Sequence, residues 1–370
     1  MNPLGSPLYG QPAAVKTFAA ALASDRVHHG WILHGPKGVG KMLAARLFAG
    51  LVLDPTVTAA HRAALAPPLE SETARLLDAG SHPDFTVIRK ELARHSASRE
   101  LRERKQLNIP LDLLRELLLG GLDSDGRMHT SPVFRTATRG HGKVFVVDEA
   151  ELLEPDGQNA MLKTLEEPPP QTHILLLTTR MERLLPTIRS RCHHVAFGPL
   201  SAECMRQWCA AGNVKSQGAT RDWLLKFADG SPGTAQMAEQ QSLHDWWIEF
   251  HPNFTAMDRG EFPGELAELM HDRVSALAEA IVKENEFASK EAANRQGLGI
   301  VAQLAGLHLR ERLRIVCEAS DHEPVAACLE ATQSIERFEE NVRGNVNPKL
   351  ALSAMVAQWT QSGRAAAAAR

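Results

Sequence analysis

The stretch Gly35-Pro-Lys-Gly-Val-Gly-Lys41 has the spacing of a loop that holds phosphate. Gly35, Gly38 and Gly40 leave room for backbone N–H groups to approach phosphate oxygens, and Lys41 offers a point charge to the outer phosphates. A Ser or Thr is expected next, because its hydroxyl ligates the Mg²⁺ that travels with a nucleotide. This chain has Met42, which offers no hard oxygen to a metal that prefers near-octahedral oxygen ligation. A second candidate is Asp148-Glu149, which follows the apolar run Val144-Phe-Val-Val147. There an aspartate can reach Mg²⁺ and a glutamate can orient a water; the plainer reading is an acidic pair at a helix N-terminus. A third is Arg191, in Ser190-Arg-Cys192. By type alone it reads as a surface charge or half of an ion pair. Its alternative role is an arginine finger directed at a neighbouring subunit's γ-phosphate.

These residues need a scaffold, and the pattern around them supplies one. Trp31-Ile-Leu-His34 reads as a strand entering the glycine loop, and residues 42–53 read as a helix leaving it. Further strands are expected at 84–88, 144–147, 174–177 and 194–197, with helices at 11–23, 111–119 and 158–165. Apolar strands alternating with helices predict a parallel α/β sheet with its ligand at the strand C-termini. Gly198-Pro199 closes this part. Short helices follow through about residue 240, one opened by Ser231-Pro232, a good N-cap with proline at N1. Helical segments near 264–286, 296–319, 324–342 and 348–361 predict an all-α third domain. The expected division is an α/β domain at 1–199, a helical lid at 200–242, a helical collar at 243–362 and a frayed tail at 363–370.

Composition narrows the class. The chain has 370 residues, 44% hydrophobic and 23% charged, which fits two or three globular domains. A net charge of −3 argues against a stand-alone polyanion binder. Residues 89–105 carry seven Lys/Arg against three Asp/Glu and read as a solvated, mobile insertion rather than a DNA contact. The five cysteines form no C-x-x-C pair. Cys192-His193-His194 makes a poor metal site, since neighbours on a strand face opposite ways. No run approaches the ~18 apolar residues of a membrane span, and the opening residues do not form a signal peptide, so the cytoplasm is expected.

The segment 144–192, "VFVVDEAELLEPDGQNAMLKTLEEPPPQTHILLLTTRMERLLPTIRSRC", resembles the core of bacterial DNA polymerase III clamp-loader subunits, which belong to the AAA+ superfamily. The resemblance rests on Asp148-Glu149, the run from Asn159 to Pro168, Thr178-Thr179 and Ser190-Arg-Cys192. It extends to Tyr9-Gly-Gln11, His82-Pro-Asp84 and the run from Asn345 to Leu350. Within that family the chain is similar to the delta-prime type rather than to the gamma and tau motor subunits. Those have Thr or Ser where this chain has Met42, and a sensor arginine where it reads Gly230-Ser-Pro-Gly233. The resemblance implies a pseudo-ATPase that gives Arg191 in trans. The nucleotide-binding set Gly35, Lys37, Gly38, Gly40, Lys41, Asp148, Glu149 and Thr179 would then be vestigial, with ATP and Mg²⁺ at most at a degenerate site. The implied partners are gamma/tau and delta subunits, a sliding clamp and primed DNA, within a nucleotidyltransferase holoenzyme. The alternative is an active AAA+ ATPase, a divergent motor subunit. Relatives often carry a four-cysteine zinc module. Residues 50–81 here lack cysteine, so that segment is expected to fold without zinc, through helices near 58–66 and 71–78.

Overall fold

The computed structural model describes residues 3–24, 27–103, 107–284, 288–318 and 323–368. Two compact units are present: residues 1–214 with 228–234, and residues 215–227 with 235–370.

The first unit is built on a five-stranded parallel sheet of β1 (Gly30–His34), β2 (Phe85–Ile88), β3 (Lys143–Val147), β4 (Thr172–Thr178) and β5 (His193–Ala196). Its spatial order is β2-β3-β4-β1-β5. The expected strands are therefore present, β4 being longer than its apolar run because Thr172 and Thr178 are buried too. β1 shows how the two faces are filled. Trp31 points to one side, against Phe18 and Phe48 at ring centroid distances of 5.2–5.8 Å. Ile32 points to the other, into a cluster with Phe145, Met161, Leu165, Ile174 and Leu176. Each such side chain contributes about 1.5–3 kcal/mol on leaving water. Burial of both faces explains why the inner strands β1, β3 and β4 are continuous apolar runs, while the edge strands β2 and β5 are only partly buried.

Helix α1 (Pro12–Leu22) and helix α2 (Lys41–Leu53) cover the Trp31 face through Phe18 and Phe48. Helix α3 (Pro155–Glu166) begins three residues before its apolar stripe, because Pro155 is suited to the first turn. It gives Met161 and Leu165 to the Ile32 face. Within 50–81, Thr58 caps the helix Ala59–Ala64 and Ser71 caps the helix Glu72–Asp78, whose Ala74 and Leu77 are buried. Side-chain caps and apolar burial thus organise this segment. Residues 111–119 are helical but end in a wide turn from Arg115, and the polar loop after them holds a short hairpin, Gly121–Leu122 with Met128–His129.

The second unit is all-helical. Its main elements are Leu243–Asp258, Leu266–Glu284, Lys290–Glu318, Glu323–Arg343 and Pro348–Ala368. Phe254 stacks on Trp359 at 5.3 Å, and Asp258 accepts hydrogen bonds from Trp359 Nε1 at 2.9 Å and His308 Nε2 at 2.8 Å. Arg312 closes this buried cluster as the counter-ion of Asp258. The expectation of a frayed tail is corrected here: residues 363–368 continue the last helix. Alanine is the strongest helix former, Gly363 fits against the Met257 carbonyl, and Arg364 Nε donates to the Gly260 carbonyl at 2.8 Å. Residues 369–370 lie outside the described residues.

Candidate nucleotide site and arginine edge

The glycine loop leaves the C-terminal end of β1 and turns into α2, as its sequence context predicts. Gly35 has φ 143°, and a Cβ there would lie 2.0 Å from the Phe197 carbonyl oxygen, so no other residue fits. Gln11 ties the loop down: its side-chain amide donates to the carbonyls of Val39 at 3.3 Å and Gly198 at 2.7 Å. Within the Tyr9-Gly-Gln11 signature, Gln11 is thus a buried brace.

The loop carbonyls and Lys41 have partners within the chain. Lys41 is buried, and its Nζ donates to the carbonyls of Gly35 and Pro36, both at 2.6 Å. Burial pulls its pKa down, while Glu151 and Asp148 oppose that shift. The turn Ser231-Pro-Gly-Thr234 sits directly on the loop. Ser231 Oγ donates to the Lys37 carbonyl at 2.8 Å, and the Gly233 N–H donates to the Gly38 carbonyl at 2.9 Å. Gly38, at φ 78°, is the point of closest approach: a Cβ there would lie 2.4 Å from Ser231 Oγ. Ser231 also caps its own helix, accepting from the Thr234 N–H at 3.1 Å. The Lys37 side chain points into solvent.

β4 lies between β1 and β3, so its end separates the loop from the acidic pair. Asp148 and Glu149 follow β3 as expected, but both are already paired. Arg89 Nε lies 3.2 Å from Asp148 Oδ2, and Lys90 Nζ pairs with Glu149. Burial raises the Asp148 pKa, and the Arg89 charge works against that. The expectation for 89–105 is corrected accordingly: its first two cations are counter-ions of the acidic pair, and turns at 90–95 and 99–103 follow. Residues 104–105 lie outside the described residues. Thr179 closes the set. Its N–H and hydroxyl donate to Glu151 Oε1 at 3.2 and 2.5 Å. Burial would raise the Glu151 pKa, but these hydrogen bonds, with one from Thr178, hold it below the ordinary value. The sequence reading passed over Glu151; its position three residues after Asp148, one helical turn on, was the available signal.

Met42 brings no hydroxyl for Mg²⁺, and the charged side chains expected at a nucleotide, Lys41, Asp148 and Glu149, have partners within the chain.

Arg191 stands at the other edge of the sheet. It precedes β5, whose His193 is in register with Trp31 at the start of β1, and its carbonyl lies 3.2 Å from a Cβ built on Gly30. The glycine loop begins five residues further along β1, roughly 16 Å at strand rise. Arg191 is half-buried, with Nη1 donating to the Thr187 carbonyl at 2.9 Å and Nη2 to Glu166 Oε1 at 2.5 Å. Cys192 is a packing residue: burial pushes its thiol pKa up to about 12. His193 and His194 do not join it in a metal cluster, and the described residues contain no group of three or more His, Cys, Asp or Glu placed to hold a metal.

A glycine loop between strand and helix, an acidic pair one strand away, and the order β2-β3-β4-β1-β5 define a parallel α/β domain of the AAA+ type, joined in this chain to a helical unit. Residues 10–201 match the family described as "DNA polymerase III, delta subunit". The chain belongs to that family, and its type is delta-prime. It is 31% identical over 217 residues to the DNA polymerase III subunit delta' of Pseudomonas aeruginosa, covering 59% of this chain and 57% of that protein. With the subunit delta' of Yersinia pestis it shares 28% over 298 residues, covering 76% and 78%. With the subunit gamma/tau of Mycobacterium tuberculosis it shares 28% over 227 residues, covering 60% of this chain and 34% of that one. The match thus spans little more than half of the first relative and a third of the last.

Proposed function

We propose that this chain is a delta-prime-type subunit of a DNA polymerase III clamp loader that does not turn over ATP itself and supplies Arg191 in trans. The observation that carries this reading is the separation of the two sites on one sheet. An arginine at the strand N-terminal edge cannot serve a phosphate loop at the C-terminal edge of the same sheet, whereas a neighbouring subunit can bring its own loop to it. The internal pairing of Lys41, Asp148 and Glu149 supports the second half of the reading. In this role Gly35, Gly38, Gly40, Lys41 and Thr179 are kept for the fold rather than for nucleotide, and Lys37 contributes only its carbonyl.

We assign residues 1–199 as the AAA+ domain, 200–242 as the lid and 243–362 as the collar that joins other subunits. Ile315, Leu329 and Leu350 are large apolar residues exposed on the helical unit, as an assembly surface requires. The partners are gamma/tau and delta subunits, with the sliding clamp and primed DNA reached through the complex. The place of work is the cytoplasm; no described helix is long and apolar enough to cross a membrane.

The test has two parts. The isolated chain should show no ATP turnover above background, and Met42→Thr alone should not restore it, because the acidic pair and the loop keep their internal partners. In a reconstituted complex, Arg191→Ala in this subunit alone should lower DNA-stimulated ATPase and clamp loading. The second reading, an active motor subunit, is favoured by the retained Asp148-Glu149 and the similarity to gamma/tau proteins. Steady turnover by the isolated chain would establish it instead.

A further inference from the structure

The guanidinium of Arg191 is held by a residue of a different element. Glu166 is the last residue of α3, and its Oε1 accepts from Arg191 Nη2 at 2.5 Å, while Nη1 is taken by the Thr187 carbonyl. Both backbones are fixed at one point of β1. A Cβ built on Gly30 would meet Cys192 Sγ at 3.1 Å, the Arg191 carbonyl at 3.2 Å and Leu165 Cδ2 at 3.3 Å. The Leu165 carbonyl is bonded again by His29 Nε2 at 2.7 Å. The two side chains meet at the surface beside this packed point. They are 35% (Arg191) and 49% (Glu166) exposed.

We propose that Glu166 is a positioning residue: it keeps Arg191 docked until a neighbouring subunit's phosphate displaces it. This rests on the trans reading of Arg191. A phosphate held by two parallel bonds uses the terminal nitrogens of the guanidinium, and Glu166 occupies one of them. Carboxylate and phosphate therefore compete for the same donor. An ion pair this exposed is weak enough to be given up, yet it biases the arginine toward the docked state. The Glu166 carboxylate also repels a phosphate approaching its partner. Removing the carboxylate charge frees the arginine before DNA binding has drawn the subunits together.

The test uses the reconstituted complex with substitutions in this subunit only, measuring ATPase with and without primed DNA. Glu166→Gln keeps the side-chain size and should raise DNA-independent turnover by about two- to five-fold, the range expected for losing an exposed ion pair. The DNA-stimulated rate should stay near its original level, so the stimulation ratio falls. Glu166→Asp keeps the charge and should restore most of the ratio. The double variant Glu166→Gln with Arg191→Ala should behave as Arg191→Ala alone. Damage to α3 would lower turnover and assembly together and cannot produce a rise. If Arg191→Ala lowers turnover but Glu166→Gln leaves the DNA-independent rate unchanged or lower, the latch is overturned and the finger stands. If Arg191→Ala has no effect, the finger reading falls and the latch with it.

Discussion

The two edges of the parallel sheet differ in how deeply their principal cation is buried. At the C-terminal edge Lys41 is buried against its own loop, the Asp148-Glu149 pair is neutralised by Arg89 and Lys90, and Thr179 is spent on Glu151. At the N-terminal edge Arg191 keeps a half-exposed guanidinium on one side-chain carboxylate and one carbonyl. Of these groups Lys41 is the buried one, while the Arg89–Asp148 pair is about as exposed as Arg191–Glu166. A cation held by an exposed ion pair, worth about 0–1 kcal/mol, remains available to a partner. On the proposed function, the buried cation serves the loop and the exposed one serves a neighbour.

The comparison breaks first at Arg191. A finger contributes about a thousand-fold or more at the phosphate it faces. Arg191→Ala should abolish turnover at that one neighbouring site while leaving the chain folded and assembled. Arg191→Lys should recover only part, because an ammonium cannot make the two-point contact. Single-turnover ATPase of the complex measures both.

At the opposite edge substitutions should cost stability instead. Gly38→Ala forces a side chain into a left-handed backbone position and against Ser231 Oγ. It should destabilise the chain by about 1–3 kcal/mol in denaturant unfolding. Ser231→Ala removes both a helix cap and the bond to the Lys37 carbonyl, and should cost about 1 kcal/mol. Neither change should produce ATP turnover. A Gly38→Ala chain of unchanged stability would mean that the turn does not press on the loop.

The smallest effect expected is a pH dependence from the N-terminal edge. Burial lowers the pKa values of His29, His173 and His193, and the charges of neighbouring histidines lower them further. The unfolded chain then binds more protons than the folded one, so stability falls as the pH drops below about 6.5 and is level above it. Denaturant midpoints taken between pH 8 and pH 5 should show this slope. His173→Gln should flatten it in part, since His173 is the most buried of the three.

Local pattern made much of this protein legible. The inner strands β1, β3 and β4 are short apolar runs because both faces of the sheet are buried there, and Ser231-Pro232 opens a helix because its cap chemistry is local. The glycines had to form a tight loop after β1, and Met42 removed the metal hydroxyl whatever the fold. The long helices after residue 243 follow from periodicity. Other features depend on residues far apart in sequence, and no local rule finds them. Arg89 and Lys90 become counter-ions only because β2 lies beside β3. Ser231 reaches Lys37 across 194 positions. Glu166 meets Arg191 because α3 ends where β5 begins. The sequence by itself determined which groups were present and which were missing. The tertiary structure decided which of them pair with each other and how exposed each pair is, since pairing is a matter of distance and burial.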